Sequence, residues 1–216
     1  MQRVRLYGAD YSVYVRIARM VLEEAGVPYE LTEVDIFAKE KIPTDYAARH
    51  PFGKIPALEH DGFRLFETDA IAAYIVDLSG DRSLVPATAR ERARTIQIMR
   101  VMDYYAYPSL VWGVFVEEVE RERAGQVDSA QVDFARQTLA VLDGLAADAF
   151  LVGNRLTLAD LWAYPMFTYF RMAPTGQRLI ADFPRLAAWL AMMDGRQSAK
   201  VTRFPRERAA TGGGAG

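Results

Sequence analysis

The chain has 216 residues, 51% of them hydrophobic and 25% charged, with a formal net charge of -2. This is the balance of an ordinary globular protein of one large domain or two small ones, and it makes no field that favours nucleic acid or an anionic membrane. The absence of cysteine excludes disulfides, thiolate metal sites and a cysteine nucleophile, and the two histidines, His50 and His60, stand near no Gly-x-Ser-x-Gly elbow. The first residues carry no signal-peptide pattern, and no stretch nears the ~20 apolar residues of a membrane span, so a cytoplasmic protein is expected.

Val4 and Leu6 alternate with Arg3 and Arg5, which predicts a short strand, and Gly8-Ala9-Asp10 turns the chain. From Ser12, apolar residues recur at Val13, Ile17, Met20 and Val21 at helical spacing. Gly26 suits a left-handed cap there, with Pro28 two residues on. Tyr29 to Ile36 is rich in strand formers. Phe37 to His50 is polar and reads as a loop with one short helix. Pro51-Phe52-Gly53-Lys54-Ile55-Pro56 leads into two apolar runs, Ala57 to His60 and Phe63 to Phe66, split by the hairpin signal Asp61-Gly62. A helix from about Thr68 to Leu78 should bury Ile71, Ala72 and Ile75 and stop at Gly80.

Beyond Pro86 the strand signals stop. Helical patterns run over about Ala89–Arg123, Val127–Ala147, Leu158–Met172 and Pro184–Arg196, the first with a kink expected at Pro108. Thr157-x-x-Asp160 reads as a capping box. The expected division is an α/β domain over 1–80, a linker over 81–88, an all-helical domain over 89–210 and a flexible glycine-rich tail over 211–216.

Two helix N-termini should emerge at strand ends, at Ser12 and at Thr68. Each offers unpaired amide hydrogens and a partial positive charge, a natural seat for an anion. The chain resembles the cytosolic glutathione transferase family over nearly its whole length, and specifically its serine-type, theta/phi-like bacterial branch. Four motifs carry the resemblance: Tyr7-Gly8-x-x-Tyr11-Ser12-x-x-x-Arg16, Pro51-Phe52-Gly53-Lys54-Ile55-Pro56, Leu65-Phe66-Glu67-Thr68-x-Ala70-Ile71, and Leu151-Val152-Gly153-Asn154-x-Leu156-Thr157-Leu158-Ala159-Asp160. The resemblance implies a thioredoxin-like domain with a mixed four-stranded sheet, followed by an all-α helical bundle. It implies a metal-independent homodimer that conjugates glutathione, its co-substrate, to small hydrophobic electrophiles. Related outcomes on the same fold are dehalogenation, ether cleavage, peroxide reduction, or a non-catalytic dimerisation module.

The resemblance also assigns roles. Ser12 would hold the glutathione sulfur as a thiolate, the alternative being a plain helix cap. A free thiol has pKa ~8.5. Lowering it by about two units takes roughly 2.7 kcal/mol. A hydroxyl donor to a charged acceptor contributes ~1.5–3 kcal/mol and a helix terminus about 0.3–1, so no base is required. Tyr11 is the second candidate donor or a pocket wall, and Tyr7 reads as a strand residue. Arg16 either adds to the positive field or pairs at the surface. Ile55, before a cis Pro56, would pair its backbone with the cysteinyl part of glutathione. Glu67 and Thr68 would hold the γ-glutamyl end, and Lys54 and Lys41 the glycyl carboxylate. His50 would touch the ligand or shape the turn. Tyr11, Tyr105, Tyr107 and Trp112 would line an apolar electrophile cleft between the halves. Phe52 would enter the neighbouring subunit.

Overall fold

The structure, a computed structural model, describes residues 3–38, 42–147 and 149–212. It divides into two units, Met1–Arg82 with Arg196–Gly216, and Ser83–Gly195.

In the first unit, strands β1 (Val4–Gly8), β2 (Tyr29–Glu33), β3 (Ala57–His60) and β4 (Phe63–Phe66) form one sheet in the order β2-β1-β3-β4. β1 runs parallel to β2 and antiparallel to β3, which pairs antiparallel with β4. This is the mixed four-stranded sheet that the sequence predicts. Helix α1 (Val13–Glu24) makes the crossover between β1 and β2 and buries Val13, Ile17, Met20 and Val21, the positions its periodicity singles out. It ends in a Schellman motif. Gly26 adopts φ 64, its N–H reaches the Glu23 carbonyl, and the Val27 N–H reaches that of Leu22. Helix α2 (Thr68–Ser79) stops at Gly80, which is left-handed with φ 72. Leu6, Ile17, Met20, Leu22, Leu58 and Ile71 are fully buried, each contributing about 1.5–3 kcal/mol by leaving water.

The second unit holds α3 (Ala89–Val101), a π-helical continuation (Met102–Glu120), α4 (Ser129–Leu145), α5 (Leu158–Phe170), α6 (Pro174–Ala181) and α7 (Pro184–Asp194). The expected helix over 89–123 is therefore not one kinked α-helix: it widens after Val101 and ends at Glu120. Pro108 has no N–H to donate and its ring crowds the preceding turn, which favours the wider winding. Ser109 Oγ returns a bond to the Tyr105 carbonyl at 2.6 Å.

The remaining helices, α8 (Gln197–Val201) and α9 (Pro205–Gly212), belong to the first unit, which moves the expected end of the helical half back from 210. The cause is Arg16, which is fully buried rather than at the surface. Its guanidinium pairs with Glu207 at 2.5 Å, donates to the Ala199 carbonyl at 3.1 Å and lies over the Phe204 ring at 4.3 Å.

Candidate functional site

The register explains how distant motifs meet. Tyr7 on β1 stands opposite Ala57 on β3, and Ala57 stands opposite Phe66 on β4. The segment after β1 (Tyr11, Ser12), the one before β3 (Ile55, Pro56) and the one after β4 (Glu67, Thr68) thus leave the sheet at one end. Lys54 lies in the same loop as Ile55; Lys41 lies outside the described residues.

Ser12 is the N-cap of α1, with φ -78 and ψ 129. Its Oγ accepts from the Val15 N–H at 3.4 Å, a long bond, and the first turn carries no acidic residue. The helix end is thus capped weakly and keeps its positive character. Tyr11 beside it donates its hydroxyl to Asp35 Oδ1 at 2.8 Å. Burial, then Asp35, pushes the phenol pKa up, so the group keeps its proton and donates a hydrogen bond to Asp35. Tyr7 is a buried strand residue with the Arg49 guanidinium 4.7 Å over its ring.

The Ile55–Pro56 bond is cis, and Ile55 is buried. Tyr46 steadies this loop by donating to the Lys54 carbonyl at 2.7 Å. Glu67 occupies the N-cap of α2 at φ 70 and ψ 122, a conformation costing a non-glycine residue about 1–3 kcal/mol. Its side chain makes no cap bond, and Thr68 is the first helical residue, buried rather than capping. His50 is buried against Phe66, ring centroids 4.9 Å apart, and its Nδ1 has no partner among the described residues.

The expected electrophile residues do not form one cluster within a unit. Tyr11 belongs to the first unit; Tyr105, Tyr107 and Trp112 belong to the second. Tyr107 and Trp112 meet edge to face at 6.3 Å. Tyr105 instead lines an open groove of about 310 Å³ with Val101, Phe134 and Val141. Asp160 is fully buried and closes the expected box at the start of α5, accepting from Thr157 N at 2.8 Å. Asp35 and Glu207 are the partners of Tyr11 and Arg16 that sequence reasoning missed. A local trace of Asp35 is its bond to the Phe37 N–H two residues on, an Asx-type turn. Among the described residues no cluster of histidine and acidic side chains could hold a metal ion, and no helix is long and apolar enough to cross a membrane.

A parallel-antiparallel sheet that gathers a serine-capped helix, a cis-proline loop and a second helix start at one end defines the thioredoxin-like class of domain. Residues 2–77 match the family model for the glutathione S-transferase N-terminal domain, and residues 116–191 match that for its C-terminal domain. Glutathione S-transferase 4 of Zea mays is 31% identical over 207 residues, covering 93% of this chain and 92% of that protein. Glutathione S-transferase 3 of Zea mays is 32% identical over 211 residues, covering 94% of each. Among solved structures, apo glutathione S-transferase III superposes with a TM-score of 0.78 at 29% identity, covering 94% of this chain and 98% of that one. Glutathione transferase F7 from Populus trichocarpa gives 0.79 at 28% identity, covering 92% and 97%. The chain belongs to the glutathione S-transferase family, enzymes that use glutathione as co-substrate.

Proposed function

We propose that this enzyme activates glutathione at Ser12 and conjugates it to small hydrophobic electrophiles. Ser12 donates a hydrogen bond from its hydroxyl to the glutathione sulfur, whose thiol proton is released to solvent, and holds it as a thiolate at the start of α1. The thiolate attacks the electrophilic carbon, a carbon–sulfur bond forms, and the leaving group departs with its electron pair. Ile55 offers its backbone to the cysteinyl part, Glu67 and Thr68 hold the γ-glutamyl end, and Lys54 and Lys41 the glycyl carboxylate. Tyr11, Tyr105, Tyr107 and Trp112 are proposed walls for the electrophile. The enzyme is assigned to a serine-type, theta/phi-like bacterial branch of the family, and to the cytoplasm.

The observation that carries this reading is the weak cap at Ser12. Its oxygen accepts from the helix, so its proton remains to be donated, whereas the Tyr11 hydroxyl already donates to Asp35. A homodimer is proposed, with Phe52, 71% exposed, inserting into the partner.

The test is a titration of enzyme-bound glutathione followed by thiolate absorbance. Ser12→Ala should raise the bound thiol pKa by about one to two units. An unchanged midpoint in that variant would remove Ser12 from the mechanism.

A further inference from the structure

We propose that Asp35 is a positioning residue for the second substrate: it fastens Tyr11 and Phe37 into one aromatic wall beside Ser12. The proposal rests on the reading of Ser12 as the residue that holds the sulfur.

Asp35 lies just past β2, while Tyr11 lies in the turn between β1 and α1. One oxygen of the Asp35 carboxylate, Oδ1, takes the Tyr11 hydroxyl at 2.8 Å and the Phe37 N–H at 3.0 Å. The two rings are thereby brought together, with centroids 5.6 Å apart and planes tilted by 33°. Phe37 remains 73% exposed. A large apolar ring in water gains nothing from folding by itself; here its backbone is held by a carboxylate and its ring is held against a neighbour of Ser12. The raised phenol pKa keeps Tyr11 a donor to Asp35 throughout the neutral range. An apolar planar substrate can lay its face on this pair, and ring stacking there depends on the angle that Asp35 sets.

Three variants of the full chain test the assignment: Asp35→Ala, Asp35→Asn and Tyr11→Phe. Each is assayed with an aryl halide and a small alkyl halide, alongside the thiolate titration of bound glutathione. Asp35→Ala should raise KM for the aryl halide about three- to tenfold. It should change KM for the alkyl halide less than about twofold, and leave the bound thiol midpoint where it is. Asp35→Asn retains an acceptor oxygen and should restore most of the aryl KM. Tyr11→Phe keeps the ring and loses the bond, so it should reproduce Asp35→Ala, and the double variant should be no worse than either single one. If Asp35→Ala raised both KM values alike, or neither, the positioning role would be refuted, even with Ser12 confirmed by its own titration. If Asp35→Ala did not fold, the aryl-to-alkyl KM ratio of Tyr11→Phe would decide, an unchanged ratio refuting the proposal. An unchanged thiol midpoint in Ser12→Ala would sink the Ser12 reading separately.

Discussion

Two helix starts in this protein solve the same problem in opposite ways. At α5 the cap is closed: Asp160 is fully buried and accepts from Leu151 N at 2.9 Å, Thr157 N at 2.8 Å, Thr157 Oγ1 at 3.0 Å and Trp189 Nε1 at 2.9 Å. At α1 the cap is open: one 3.4 Å bond to Ser12 Oγ and no carboxylate in the first turn. Both starts leave amide hydrogens to be satisfied. The first supplies its own anion and serves the fold. The second has no carboxylate in its first turn, which is what the proposed thiolate seat requires.

The comparison breaks most visibly at Asp160. Asp160→Ala strands four buried donors, each costing ~1–3 kcal/mol when left unmade. After partial relaxation, a loss of about 3–5 kcal/mol is expected in denaturant unfolding. A loss below about 1 kcal/mol would mean that the closed cap is not structural.

Ser12→Ala should behave in reverse. The weak bond to Val15 limits the stability loss to about 1 kcal/mol or less. Catalysis should fall about 10–10²-fold in kcat/KM, the thiolate lost when the bound thiol pKa rises by about one to two units. A large stability loss with little loss of rate would put the two helix starts in the same class.

Glu207 sharpens the comparison from inside α1. Arg16, one turn past Ser12, is fully buried, and its charge is taken up by Glu207 at 2.5 Å. Removing one member of a buried pair typically costs 3–5 kcal/mol. Because the Glu207 side chain is 10% exposed rather than fully buried, about 2 kcal/mol is expected for Glu207→Ala, read as a lower Tm. The bound thiol midpoint should hold. A lower midpoint would show that Arg16, once unpaired, adds its field to the open helix start.

These three residues also mark how far the sequence could be read. The box at Thr157 and Asp160 spans four positions, and the strands and α1 follow from periodicity and from Gly26 and Gly80. All of that information is local. Helix α6 was not legible. Its start has no local cap, and its buried partner is Glu118, 57 residues away, which accepts from Thr175 N at 2.9 Å. The burial of Arg16 is not legible locally, because its partner lies 191 residues downstream. The site motifs were legible as a set, since their order and spacing were visible. The commitment of Tyr11 to Asp35 was not, because an aspartate after a strand looks like any turn residue.

The smallest predicted effect concerns a third helix start, that of α2, where Glu67 sits at the N-cap without capping through its side chain. His50 lies nearby, and burial lowers its pKa. Lys54 adds to that lowering, and the Glu67 carboxylate opposes it. The folded state therefore resists protonation where the unfolded chain, with histidine pKa ≈ 6.5, accepts it. The stability that depends on neutral His50 is complete above about pH 6.5 and is lost as pH falls through the lower folded value. His50→Asn should lose about 1 kcal/mol at neutral pH, through lost packing on Phe66. Its deficit against the parent should then shrink as pH falls below about 6.5, because asparagine takes up no proton. Unfolding curves from pH 8 to pH 5 check this. A deficit that stayed constant across the range would mean that His50 titrates alike in both states, and that the start of α2 carries no charge sensitivity through this residue.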